Sequence, residues 1–183
     1  MKEALRKLLI KAGAGGGAIA IAMTLGAWYE GDGPTVRQPD GSVMYRPYLD
    51  TGGIWTACRG VTGRWVVPGK LYTRGECDVL EREHYAVALA SARRLFPAFD
   101  TYNRWIQAAL IDWLYNLGEN PATVNSTLRA KFNRGDIDGG CRELTKWVKG
   151  RMNGQLVTLN GLVDRRETTQ ELCLSWGRGE GDQ

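Results

Sequence analysis

Thr101 to Gly118 reads TYNRWIQAALIDWLYNLG. Trp105, Ile106, Ala109, Leu110, Trp113, Leu114 and Leu117 recur at helical spacing, and they cover a face too wide for a helix lying on the surface. The stretch therefore predicts a central core helix from Thr101 to Leu117, ended by Gly118. On its N-terminal side, Thr73 with Glu76 three residues later forms a capping box, which opens a helix running to about Leu95, before Pro97. On its C-terminal side, shorter helices are predicted over about 125–133, 136–149 and 160–176, followed by a polar tail over 178–183.

Further upstream the pattern changes. Residues 32–42, DGPTVRQPDGS, are rich in turn formers, and Pro39-Asp40-Gly41-Ser42 has the chemistry of a turn between the extended segments TVRQ and VMYRPYL. That predicts a β-hairpin. GGIWTACRG and RWVV add short strands, giving one small antiparallel sheet from about 35 to 67. No internal repeat or interdomain linker interrupts the chain. The expected class is α+β, a small antiparallel sheet followed by a helical bundle, with an apolar helix at the N-terminus.

The chain has 183 residues, enough for one domain with a buried core and an appendage. It is 43% hydrophobic with seven tryptophans, which excludes a disordered protein. The net charge of +4, from 24 basic and 20 acidic residues, is a mild excess. No basic run or aromatic-basic stripe accompanies it, so nucleic acid is not an expected partner. The four cysteines, Cys58, Cys77, Cys141 and Cys173, include no CxxC pair, and His84 is the single histidine. These numbers argue against a Cys/His zinc site, and no metal or cofactor is expected. An even cysteine count fits two disulfides and an oxidising compartment such as a bacterial periplasm. Four buried free thiols in a cytosolic protein are the alternative.

Ala12 to Trp28 is seventeen residues without a charge, five of them glycine and six alanine. It is a weakly apolar span at the lower edge of bilayer length. Lys2, Arg6, Lys7 and Lys11 precede it, and Glu30 and Asp32 follow. The positive-inside rule then leaves the N-terminus in the cytoplasm and the rest of the chain outside. A cleavable signal peptide is the rival, because Ala20-Ile21-Ala22 has the small-x-small form a signal peptidase reads, although the glycine and alanine before it make a poor apolar region.

Several features carry no chemistry on this reading. His84 lies in mid-helix beside Glu81 and Glu83 and reads as a partly solvated helix residue rather than a catalytic base. Glycines 15 to 17 lack the strand and the Gly-Lys-Ser/Thr of a phosphate loop. Asp136 and Asp138 follow Gly135 and read as a helix N-terminus. Glu30, Asp50 and Thr56 remain. Glycoside hydrolysis needs one protonated acid for the leaving oxygen and one carboxylate for the positive charge on the sugar and the attacking water. An apolar surround would raise the pKa of Glu30 and let it keep its proton, while Asp50, in a polar turn beside Thr51 and Gly52, would stay ionised.

At these residues the chain resembles the phage-type lysozymes of glycoside hydrolase family 24. Their pattern is a glutamate then glycine, a Tyr-x-Asp, and a threonine or cysteine after five further residues, which here reads Glu30-Gly31, Tyr48-Leu49-Asp50 and Thr56. The resemblance continues through WTACRGVTG (55–63), YTRGEC (72–77), ALIDWLYNLG (109–118), STLRAKFNRGDIDGGC (126–141) and GLVDRRETTQELCLSWG (161–177). GGGAIAIA is similar to the signal-arrest-release segment of certain phage endolysins.

The resemblance implies a muramidase that hydrolyses the bond between N-acetylmuramic acid and N-acetylglucosamine with inversion. Glu30 would be the general acid, Asp50 would position the water and steady the oxocarbenium-like transition state, and Thr56 would hold that water from its other side. Asn116 matches a substrate-side polar position, and Arg165 would pair with Glu30 at the base of the site. The alternative for Arg165 and Arg166 is a solvated helix face. Two positions depart from the family. Nineteen residues separate Glu30 from Asp50, more than is usual. Asp40 stands nearer the usual distance but reads as a turn residue, so the excess is assigned to the hairpin. Val61 stands where many members have histidine.

The expected protein is thus an exported endolysin, monomeric, acting on peptidoglycan glycan strands. Residues 1–28 are a signal anchor that contacts the bacterial inner membrane through residues 12–28, and 29–177 form the catalytic domain. The disulfides expected from element proximity are Cys58–Cys77 and Cys141–Cys173, with two other pairings open. A membrane-embedded segment would hold Glu30 at the lipid surface, apart from Asp50 and Thr56. Being marginally apolar, it could leave when the membrane is de-energised and pack on the domain. A lytic transglycosylase, or a noncatalytic membrane-anchored wall-binding protein, is the alternative function.

Overall fold

The structure is a computed structural model and describes residues 1–50, 52–152 and 154–176. The tail expected over 178–183 lies outside them. Arg104–Leu117 form helix α3, in which Trp105, Ile106 and every residue from Ala108 to Tyr115 are buried. A helix enclosed this fully is the axis around which the others pack. It starts three residues later than the sequence predicts. The Asn103 side chain accepts the N–H groups of Trp105 and Ile106 at 2.9 and 3.0 Å and so caps α3, while Phe99–Thr101 form a separate 3-10 turn.

The N-terminal helix α1, Glu3–Glu30, is broken at Gly17, where φ is 65° and ψ is −158°. Only glycine adopts such a conformation without strain. The two arms run back along one another. Leu8 of the first lines a cavity with Met23, Thr24 and Ala27 of the second, and Met1 and Lys2 line another with Trp28 and Tyr29. Leu5 and Leu9 from one arm and Ile21, Ala22 and Leu25 from the other are buried in the same core as Trp105 and Trp176. Burial of each leucine or isoleucine contributes about 1.5–3 kcal/mol. Gly13 lets the first arm approach α3, since a Cβ there would stand 3.0 Å from the Trp105 ring, and Arg104 donates to the Gly13 carbonyl at 3.1 Å. The N-terminal amine pairs with Glu171 at 2.9 Å.

The predicted hairpin is present: β1 (Thr35–Arg37) pairs antiparallel with β2 (Val43–Tyr45), Thr35 facing Tyr45. The single predicted sheet is two. Proline at 47, which has no N–H to donate, separates the hairpin from a three-stranded antiparallel sheet of β3 (Tyr48–Leu49), β4 (Trp55–Ala57) and β5 (Val61–Thr62). RWVV is not a strand. Gly63, at φ 73°, turns the chain into a 3-10 turn over Gly63–Trp65, closed by the Val66 N–H on the Gly63 carbonyl at 3.0 Å.

The capping box of Thr73 and Glu76 opens α2, Arg74–Leu95, as predicted. After α3 come α4 (Pro121–Val124), α5 (Thr127–Asn133) and α6 (Ile137–Glu143), the last capped by Asp136. The helix predicted over 136–149 thus ends early, in a 3-10 turn at Leu144–Lys146. A hairpin the sequence reading lacked follows, β6 (Lys149–Met152) with β7 (Gln155–Thr158). Helix α7, Asn160–Ser175, completes the bundle. Cys58 is bonded to Cys77, joining the sheet to α2, and Cys141 to Cys173, joining α6 to α7. Both are the pairs expected, and the α+β class holds.

Candidate active site

Glu30, Asp50 and Thr56 line one cleft of about 350 Å³, together with Tyr48, Ile54, Gly60, Thr62, His84, Tyr115 and Asn116. Each arrives by a different local device. Glu30 is the last residue of α1, and Gly31 at φ 66° turns the chain away after it. The preceding residue fixes the helix end, because the Tyr29 hydroxyl shares a hydrogen bond with Thr168 Oγ1 at 2.7 Å and donates to the Asp164 carbonyl at 3.2 Å on α7. Gly60, at φ 80°, rests against the carboxylate, where a Cβ would lie 3.4 Å from Glu30 Cδ.

Asp50 closes the β3–β4 hairpin. Its Oδ1 accepts the N–H groups of Gly52 and Ile54 at 2.8 and 2.9 Å, which orients the carboxylate and leaves Oδ2 for another partner. Thr56 is 3% exposed, lies opposite Tyr48 in the sheet register and donates to the Ile54 carbonyl at 3.1 Å. Tyr48 senses both carboxylates: burial first, then the charges of Glu30 and Asp50, push its phenol up. The β1–β2 hairpin returns the chain on itself, so the long spacing between Glu30 and Asp50 still ends in one cleft. Asp40 is spent in that hairpin, capping the Ser42 N–H at 2.9 Å, and does not line the cleft. Val61 is fully buried beside the Cys58–Cys77 bond and fills the small core under the sheet.

Behind Glu30 the sequence suggested an apolar surround, and the structure puts charge there instead. Arg165, 2% exposed, donates to Glu30 Oε1 through Nη1 and grips Asp112 through Nε and Nη2, the latter at 2.8 Å. Arg166, fully buried, donates to Asp112 Oδ2 at 3.2 Å and to Asn116 Oδ1. Neither arginine is a solvated helix face. Burial works against both charges. Asp112 and then Glu30 hold Arg165 above its ordinary value, whereas burial brings Arg166 down to about 10, which leaves it charged at neutral pH. Asn116 lines the cleft, but its side-chain oxygen is engaged from behind by Arg166.

Two residues were not assigned a place here from sequence, Asp112 buried behind the cleft and His84 in its wall. Asp112 sits inside the apolar run of α3, and an aspartate amid Ala, Leu, Ile and Trp is itself a signal, since a buried carboxylate must be paired. Arg165-Arg166 is the matching signal. His84 was read as partly solvated and idle. It is half-buried in the cleft wall, between the rings of Trp65 and Tyr115 at centroid distances of 5.2 and 4.8 Å. The 3-10 turn that replaced the RWVV strand is what brings Trp65 to it.

Comparison with known proteins gives the chain relatives in sequence and in fold. The phage lysozyme family model matches residues 40–169. The SAR-endolysin of Enterobacteria phage P21 is 37% identical over 97% of this chain and 99% of its own length. Among solved structures, the endolysin from Escherichia coli O157:H7 phage FAHEc1 superposes with a TM-score of 0.67 at 22% identity, covering 84% of this chain and 90% of that one. The active form of the P1 phage endolysin Lyz gives 0.64 at 22%, covering 91% and 99%.

Proposed function

Because the chain belongs to the phage lysozyme family, we propose that its cleft performs the family's reaction with Glu30 as general acid, Asp50 and Thr56 as holders of the water, and Arg165 and Asn116 as their support. The chain is an endolysin, a lysozyme that breaks the β-1,4 bond between N-acetylmuramic acid and N-acetylglucosamine in peptidoglycan. The carrying observation is that three residues spread over a helix end, a hairpin turn and a strand line one cleft. Glu30 delivers a proton to the glycosidic oxygen. Asp50 Oδ2 and Thr56 Oγ1 hold water on the other face of the sugar, so displacement is single and the anomeric configuration inverts. Arg165 keeps the Glu30 side chain aimed at the cleft, and Asp112 matches part of its charge.

Mass spectrometry and NMR of muropeptides released by wild type and by Glu30→Gln test the assignment. Reducing N-acetylmuramic ends that first appear as the α-anomer, with at least a hundredfold loss in the variant, are the expected result. Products with 1,6-anhydro ends would instead assign a transglycosylase, and undiminished lysis by the variant a noncatalytic wall-binding protein.

The enzyme is exported to the periplasm, and the tether is part of the same proposal. Residues 1–28 act first as an anchor, crossing the inner membrane through 12–28 with the N-terminus in the cytoplasm, and 29–177 act as a monomeric catalytic domain. On release the segment folds back at Gly17 onto α3 and α7, and only then does Glu30 stand in the cleft. Leu5 and Leu9, which cleavage after Ala22 would remove, are buried in the core with Trp105 and Trp176, and this supports release without cleavage. N-terminal sequencing of the soluble, depolarisation-released form would start at Met1; a start after Ala22 would remove this reading.

A further inference from the structure

We propose that His84 is a substrate-contacting residue: its Nε2–H donates a hydrogen bond to an oxygen of the bound glycan, a sugar hydroxyl or an acetamido carbonyl, and thereby strengthens binding without taking part in bond cleavage. The proposal rests on the lysozyme reading of the cleft. His84 stands on α2 in the cleft wall shared with Thr62 and Asn116, and none of the proposed catalytic steps uses it.

The ring cannot turn freely. Trp65 and Tyr115 flank it, tilted by 42° and 55°, and Tyr115 is itself held by the bond from its hydroxyl to the Arg59 carbonyl at 2.6 Å. Nδ1 is buried and has no hydrogen-bond partner among the described residues. A buried N–H without an acceptor is rarer and less favourable than an under-used lone pair, and a neutral imidazole carries one hydrogen on one of its two nitrogens. The hydrogen therefore belongs on Nε2, on the other edge of a ring that lines the cleft. Burial supports the neutral form by holding the imidazole below its usual pKa. The cleft wall thus presents a fixed, uncharged donor between two aromatic faces. That chemistry suits a neutral, oxygen-rich ligand such as an N-acetylated sugar, and it has neither the charge nor the pairing that proton transfer to the leaving group would require.

His84 is the single histidine of the chain, so its imidazole nitrogens give unambiguous ¹⁵N signals. In ¹⁵N-labelled Glu30→Gln protein at neutral pH, the spectrum is expected to show the Nε2–H tautomer, and titration with an N-acetylglucosamine pentamer is expected to shift both ring nitrogens. In parallel, His84→Phe is expected to raise KM about tenfold, the loss of one neutral hydrogen bond, with kcat unchanged; His84→Gln, whose amide can donate, recovers most of the loss. An Nδ1–H or charged ring, no shift on titration, or a folded His84→Phe with unaltered KM or a reduced kcat would each overturn the proposal. If the wild-type protein released no muropeptides, the hydrolase reading would fail instead, while the pentamer titration would still decide the contact.

Discussion

A Cβ on Gly26 would overlap the hydroxyl of Tyr85, so α1 meets α2 with backbone against phenol. Tyr85 has nowhere to retreat: it is 2% exposed and stacked on Tyr115 at a centroid distance of 3.8 Å. Tyr115 in turn bonds Arg59, next to the Gly60 that abuts Glu30. A contact distant from the chemistry therefore bears on where the acid stands.

Gly26→Val is expected to weaken docking of the second arm by about 1–3 kcal/mol, as overpacking does, and to lower both Tm and lytic activity of the soluble enzyme. Gly15→Ala is the control, since nothing lies within 4 Å of a Cβ there. Calorimetry and a turbidity assay compare them, and equal behaviour of the two variants would contradict the docking argument.

Asp112→Asn removes the carboxylate that both buried arginines share. A loss of about 3–5 kcal/mol is expected, the usual consequence of stranding buried charge, together with reduced activity because Arg165 then has only Glu30 to pair with. Urea unfolding measures the first. Adding Arg166→Met to Asp112→Asn should recover part of the stability by removing one of the stranded charges.

The disulfides close loops of 19 and 32 residues in sequence separation. Their removal is expected to lower stability by about 3 and about 4 kcal/mol respectively, which thermal melts of Cys58→Ala/Cys77→Ala and Cys141→Ala/Cys173→Ala would report. An unchanged Tm for the second pair would mean that α6 and α7 hold together by packing alone.

Glu76 gives a pH-dependent term. The Thr73 backbone N–H, Lys70 and the Thr73 hydroxyl, in that order, bring its carboxyl from 4.5 down to about 2. Folding thus favours the ionised form, so this stabilisation is complete above pH 4.5 and disappears as the pH falls toward 2. Glu76→Gln should melt below wild type at pH 7 and together with it near pH 2. The side chain is exposed, so the difference should shrink in high salt.

The sequence carried the helices well where caps and burial coincide, as at Thr73 and in α3, because both signals are local. It was weaker wherever tertiary contact decides. Gly17 was counted among the residues that make the span weakly apolar, although its use is a reversal that only the facing core residues Leu9 and Ile21 demand. The β6–β7 hairpin falls almost wholly in the gap left between the helices predicted over 136–149 and 160–176, yet Asn153-Gly154 in the sequence is a strong hairpin signal. For the site, Glu30, Asp50, Thr56, Asn116 and the pairing of Arg165 with Glu30 could be named from residues and the family pattern. Their electrostatic setting could not. That depends on Asp112 reaching across from α3, and a single aspartate in an apolar helix does not reveal which arginine it meets. His84 is the partly solvated residue of α2 that the sequence predicts, but its ring neighbours Trp65 and Tyr115 come from other elements and could not be read from its charged neighbours on α2.

The break at Gly17 also fixes a length. A straight helix from Glu3 to Glu30 measures about 42 Å, ample for a hydrocarbon core of about 30 Å, whereas each arm of the folded form is only about 20 Å long. Neither arm alone is long enough to cross a bilayer, and a chain released as proposed could re-enter only if the hairpin were pulled off the core and straightened in water with its leucines exposed. If the segment leaves a membrane as proposed, the folded geometry would act as a ratchet, easy to pass in one direction and closed in the other.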